Sequence, residues 1–99
     1  MQNKIEYSPR ALKDLDEIWD YIESDLYNPN AAQNTVEGIM DKVDGLSSFP
    51  KSGVKLKFNN GLDSGYRYVV FKNYLVFYRL RLDNVIYVDR VIYSGRDYM

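Results

Sequence analysis

The sequence predicts an α+β domain, and three observations carry the prediction. Two segments in the first half repeat apolar residues at three- and four-residue spacing, the period of an amphipathic helix. Three segments in the last third are rich in Tyr, Phe, Val and Ile, which favour strands. A short alternating segment, Lys4-Ile5-Glu6-Tyr7, precedes them all. The expected order is an N-terminal strand, an antiparallel two-helix hairpin, then a three-stranded antiparallel meander (βααβββ). Its helices should pack on one face of the sheet. The 99 residues have room for one core, so residues 1–99 are expected to form a single domain.

Each element has a local reason. Ile5 and Tyr7 alternate with charged residues over one short strand. Ser8-Pro9 is a helix start: the Ser8 hydroxyl can cap free backbone N–H groups, and Pro9 suits the first helical turn. Ala11, Leu12, Leu15, Ile18, Trp19 and Ile22 then form one stripe of a helix running to about residue 25. Trp19 is expected in the core. Asp14, Asp16, Glu17, Asp20 and Glu23 are expected on a solvated side.

Tyr27-Asn28-Pro29-Asn30 is a short break, so the next helix should return antiparallel. Asn28-Pro29 repeats the cap-then-proline device. Ala32, Val36, Ile39, Val43 and Leu46 form the second stripe, ending before Phe49-Pro50. Gly38, inside this helix, costs about 1 kcal/mol against Ala, and close packing is one reason to tolerate it. Residues 50–65 are irregular and rich in Gly and Asn. Within them Val54, Leu56 and Phe58 alternate with Lys55 and Lys57, which places both lysines on one face of a brief extended segment. Tyr66 to Phe71, Tyr74 to Leu80 and Val85 to Ser94 read as strands, with turns at Lys72-Asn73 and Asp83-Asn84.

Composition excludes several function classes. The chain has no Cys, so disulfides, thiolate nucleophiles and Cys-based metal sites are out. It has no His, which removes Ser-His-Asp triads and imidazole ligands. Gly61-Leu62-Asp63-Ser64-Gly65 lacks the Gly-Lys-Ser/Thr of a phosphate loop. No metal and no small-molecule cofactor is expected. The N-terminus has no signal-like apolar stretch, and no run approaches the ~20 apolar residues of a membrane span. A cytoplasmic protein without a membrane partner is the expectation.

The net charge of −1 hides two opposed halves. Residues 1–50 carry four bases and ten acids, a net of −6, while residues 51–99 carry nine bases and four acids, a net of +5. Such asymmetry points to an anionic or acidic partner for the basic half. Lys55, Lys57, Arg79, Arg81 and Arg90 are the candidate residues for binding a target or other partner. Tyr66, Tyr68, Tyr78, Tyr87, Tyr93 and Tyr98 are interleaved with the basic set. Arg pairs with phosphate through two N–H groups, and aromatic rings stack on unpaired bases. Arg96 and Tyr98 are candidates for catalysis if the protein cuts RNA, Arg96 on phosphate and Tyr98 in proton transfer.

Three stretches carry a family resemblance: residues 8–22 (SPRALKDLDEIWDYI), residues 66–79 and residues 89–97 (DRVIYSGRD). In this order they resemble the RelE/ParE superfamily of type II toxins, small bacterial proteins each paired with an antitoxin. The helical stretch looks more like ParE, whose members poison DNA gyrase without being enzymes. RelE-like members instead cut mRNA on the ribosome. By that resemblance Arg67 matches one basic position of the RelE nucleases, and Arg96 with Tyr98 matches the C-terminal ones. Leu75 stands where a third-strand base is expected. The resemblance implies a cognate antitoxin that lays a segment over the toxin. Three functions remain open: a gyrase poison, a ribosome-dependent mRNA endoribonuclease, and a non-toxic protein- or nucleic-acid-binding module.

Overall fold

The computed structural model describes residues 3–94. Strand β1 (Lys4–Tyr7) leads into helix α1 (Pro9–Asp20), which continues through a π-helical turn, Tyr21–Asp25. Helix α2 (Pro29–Asp44) follows and closes with a 3₁₀ turn, Gly45–Ser47. Four strands complete the chain: β2 (Val54–Lys57), β3 (Asp63–Phe71), β4 (Tyr74–Leu80) and β5 (Val85–Tyr93). The helix starts are those the sequence announces. The Ser8 hydroxyl accepts from the Ala11 N–H at 2.9 Å, and the Asn28 side chain accepts from the Ala31 N–H at 3.0 Å.

The α+β class holds, with two corrections to the strand count and direction. The sheet has five strands in the order β1-β5-β4-β3-β2. Val54–Lys57 is a true strand, so the antiparallel meander has four strands, not three. And β1 runs parallel to β5, making the sheet mixed. A parallel neighbour requires a crossover, and the helical hairpin provides it.

The helices cover one face of the sheet. Ala11 and Leu15 of α1, with Ile39 and Val43 of α2 and Leu46 after it, pack against Val69, Tyr74, Val76, Tyr78, Ile86, Val88 and Val91. Ile39, Val76, Ile86 and Val88 have no exposed surface. Burying each such side chain is worth about 1.5–3 kcal/mol. Gly38 is explained here: a Cβ at that position would run into the Phe71 ring. Two expected core residues lie elsewhere. Leu12 is half exposed, and Trp19 is only partly buried, its indole N–H reaching Glu23 at 3.4 Å. The α1 stripe is therefore narrower than its apolar spacing suggests. In the two expected turns the left-handed backbone falls on Lys72 (φ 53°) and on Asn84 (φ 63°).

Candidate functional site

Cross-strand register sorts the second half of the chain onto two faces. On the face away from the helices, one row crosses the whole sheet: Leu56, Tyr66, Arg79, Tyr87 and Glu6 are successive partners from β2 to β1. A second row runs Val54, Tyr68, Phe77 and Arg90. The Tyr68 and Phe77 rings sit 5.9 Å apart, centroid to centroid. The Arg79 and Arg81 guanidiniums lie 5.1 and 5.9 Å from the Tyr87 ring centre. A cation over an aromatic face is held by the ring quadrupole, about 0.5–1 kcal/mol at exposed sites. Among the described residues no helix covers this aromatic and cationic surface.

The candidate basic residues are divided between the two faces: Arg79 and Arg81 lie with Tyr87 on this one, and Arg67 does not. Arg67 is the partner of Tyr78 and Lys55 in the row on the helix side. Its Nη1 donates to the carbonyls of Gly53 at 3.0 Å and Lys51 at 3.2 Å. The Tyr78 hydroxyl fastens the same loop, accepting from the Gly53 N–H at 3.0 Å and donating to the Pro50 carbonyl at 2.8 Å. Burial raises the Tyr78 phenol above its ordinary pKa, against the opposing pull of the Gly53 N–H and the Arg67 charge. Tyr78 belongs to the core and is removed from the interleaved aromatic surface. Arg67 acts as a brace for residues 51–53.

Arg90 is also committed. A register shift between Phe77 and Tyr78 in the β4–β5 pairing inserts one extra β5 residue before it. Its Nε and Nη2 meet the two Asp14 oxygens at 2.8 and 3.2 Å. Asp14, expected on the solvated side, is 4% exposed. The same carboxylate accepts from the Val91 N–H at 2.9 Å, and Arg10 adds an ion pair at 3.3 Å. Burial alone would raise the Asp14 pKa. The bonds from Arg90 and Val91 and the charges of Arg90 and Arg10 outweigh it, and the carboxyl sits below its ordinary value. The sequence signal for this role is absent, because the partners lie 76 and 77 positions away.

Arg81 bridges Glu6 of β1 at 3.2 Å and Asp83 at 3.1 Å. Lys55 is 3.8 Å from Asp63, both exposed. The Gly65 N–H, with some help from nearby cations, lowers the Asp63 carboxyl. Lys57 follows Lys55 on β2, where all four residues are exposed. Arg96 and Tyr98 lie outside the described residues. Of the proposed catalytic trio, then, Arg67 alone can be located. Tyr7, on the helix side, carries a buried hydroxyl with no partner among the described residues. Burial, with the Asp44 charge, pushes it up to about 12. Among the described residues no cluster of carboxylates is arranged to hold a metal ion, and no helix is long and apolar enough to cross a membrane.

A family model described as "ParE toxin of type II toxin-antitoxin system, parDE" matches residues 5–98. The chain belongs to this family. Within the curated proteins, "Putative toxin Y4kP" of Sinorhizobium fredii is 44% identical to the ParE-family chain over 52 residues. That stretch is 52% of each protein, so the match spans about half the length of the curated relative. Solved structures share the fold. The chromosomal ParDE system from P. aeruginosa superposes with a TM-score of 0.78 at 20% identity, covering 95% of this chain and 98% of that one. The RelBE2 toxin–antitoxin complex of Mycobacterium tuberculosis gives 0.64 at 18% identity, covering 94% and 99%. A free-state mutant of E. coli RelE gives 0.61 at 16%, covering 99% and 90%. At these identities the likeness is one of fold. Membership of the ParE family rests on the family model over residues 5–98.

Proposed function

We propose that this ParE-family protein arrests bacterial growth by poisoning DNA gyrase, and that a cognate antitoxin holds it in check. The observation that carries the choice of target is the commitment of Arg67. A phosphate-binding arginine of a nuclease needs free N–H groups aimed at substrate. Arg67 spends its Nη1 group on two loop carbonyls on the helix side of the sheet, which fixes the side chain against the loop. The family match over residues 5–98 and the absence of His from the chain support the same reading. The open face with Tyr66, Tyr68, Phe77, Arg79 and Tyr87 supplies the aromatic and arginine content typical of protein contact surfaces.

A second reading, ribosome-dependent cleavage of mRNA, draws on one feature. Lys55 is the direct cross-strand partner of Arg67, with Lys57 two residues further along β2. Three cations so placed suit a phosphate backbone. The two readings separate in one experiment. Purified protein is added to gyrase with relaxed plasmid, and mRNA ends are mapped by primer extension after induction in cells. Lost supercoiling or trapped cleaved plasmid with intact mRNA supports the first reading. Codon-positioned mRNA ends with unaffected gyrase would replace it by the second. Growth unaffected by induction, with or without the product of a neighbouring reading frame, would reject both in favour of a non-toxic binding module.

A further inference from the structure

We propose that the tip of the helical hairpin, residues 21–27, is the surface that grips the target, and that it fits a cationic, DNA-handling surface there. The proposal rests on the gyrase reading above and specifies which part of the chain makes the contact and by what chemistry. The tip consists of the π-helical turn Tyr21–Asp25 and the two residues that lead to Asn28. Single π-helical turns within helices are frequent at functional sites.

The apolar side chains of the tip lie in solvent. Tyr27 is 88% exposed, Leu26 56% and Tyr21 55%. Tyr27 also takes a left-handed backbone (φ 53°), a conformation that suits Gly or Asn and strains a bulky residue. The turn is closed by other groups: the Asn28 N–H donates to the Ile22 carbonyl at 3.3 Å, and the Asn28 side chain caps α2. A glycine at position 27 would serve the backbone better, so what tyrosine adds is a ring held out in water. An exposed Tyr on a fixed turn is the kind of side chain that anchors protein contacts. Tyr21 carries the aromatic surface to the sheet, where its phenol acts on that of Tyr74. Tyr74 in turn packs on the half-exposed Tyr93, ring centroids 5.4 Å apart.

Charge selects the partner. From Asp14 to Asp41 the chain carries eight acids and no base. Asp14 and Glu17 have arginine partners. Among the described residues no ion pair engages Asp20, Glu23 or Asp25, which adjoin the exposed rings in the chain. Aromatic rings beside unpaired carboxylates are complementary to an apolar hollow among Lys and Arg. An enzyme that handles duplex DNA must present such cations to phosphate. RNA and anionic lipid repel the same carboxylates. A second copy of the chain fits poorly, because its Lys55, Arg81 and Arg90 already face Asp63, Glu6 with Asp83, and Asp14.

The test measures binding of the labelled 99-residue protein to purified gyrase by anisotropy, with growth followed in parallel after induction. Tyr27→Gly is expected to keep or raise the thermal midpoint and to weaken binding at least about tenfold. Glu23→Lys with Asp25→Lys should weaken it likewise, and added salt should weaken binding of the unaltered protein. Phe49→Ser, at an exposed aromatic beyond the opposite end of α2, should change neither binding nor arrest. Full binding and full arrest by Tyr27→Gly would overturn the proposal, as would equal loss in Phe49→Ser or binding indifferent to salt. So would self-association that Tyr27→Gly abolishes, or a Tyr27→Gly protein that still poisons gyrase but escapes the product of a neighbouring reading frame. If the unaltered protein leaves gyrase alone and folded Tyr27→Gly loses growth arrest, the gyrase reading fails and the tip stands as the target surface. Equal poisoning of gyrase by both proteins keeps the reading and removes the tip. Neither arrest nor gyrase binding by the unaltered protein overturns both.

Discussion

The two edges of the sheet are finished in different ways. On one side β1 covers β5 only as far as Val88. Beyond that point the chain seals β5 with side chains and the start of α1. The Ser8 N–H donates to the Val88 carbonyl, the Ser8 hydroxyl donates to the Asp89 carbonyl at 2.8 Å, and Asp14 takes the Val91 N–H. On the other side β2 stands bare, with two lysines and two apolar residues in solvent. One edge is closed by groups more than seventy positions away in sequence. The other has no such seal among the described residues. The contrast teaches where stability resides: substitutions at the first edge should cost folding energy, and those at the second should cost little.

The strongest break of this comparison is Asp14→Ala. It strands the Val91 N–H at the sealed edge, and leaving a buried donor unsatisfied costs about 1–3 kcal/mol. Urea unfolding should show a loss in that range, and none would mean the seal is unimportant. The same residue sets an acid response. Its folded pKa is lowered, so its contribution is complete above the unfolded carboxylate value of about 3.9 and is lost as pH falls through the lower folded value. Unfolding followed from pH 6 to pH 2 should steepen below about pH 4, and Asp14→Asn should flatten that slope.

Gly38→Ala comes next, because the added methyl meets the Phe71 ring. Overpacking costs typically about 1–3 kcal/mol, and Phe71→Leu in the same chain should restore part of it. Ser8→Ala removes both the helix cap and the bond to Asp89, and about 0.5–2 kcal/mol should be lost in thermal unfolding. The smallest stability effect belongs to Lys57→Gln on the bare edge, within about 0.5 kcal/mol. A larger change there would show that β2 supports the fold, and the division between edges would blur.

Much of the fold was legible because its cues are local. Ser8-Pro9 and Asn28-Pro29 announce both helices by capping chemistry, and aromatic and β-branched runs announce β3 to β5. The parallel partnership of β1 with β5 was not legible, since four residues of alternation say nothing of their neighbour. Val54–Lys57 reads from alternation only as a brief extended segment, and its pairing with β3 makes it a strand. For the candidate site, alternation alone places Lys55 and Lys57 together. The fates of Arg67 and Arg90 depend on sheet register and on the extra residue beside Phe77, which no local pattern encodes. Asp14 looked like any other acid on α1 until its distant partners were in place.

The pairing of β1 with β5 has a consequence in time. Lys4 is matched to Val85 and Tyr7 to Val88, so the first strand waits for nearly the last one to be made. At synthesis rates of roughly 5–20 residues per second, that wait is on the order of 4–16 s. Until β5 emerges, Ile5 and Tyr7 have no sheet to join, and α1 has no Arg90 or Val91 to hold. A ribosome carrying an unfinished copy therefore carries no completed sheet. The outer row from Leu56 through Tyr66, Arg79 and Tyr87 to Glu6 is likewise complete only once β5 is in place.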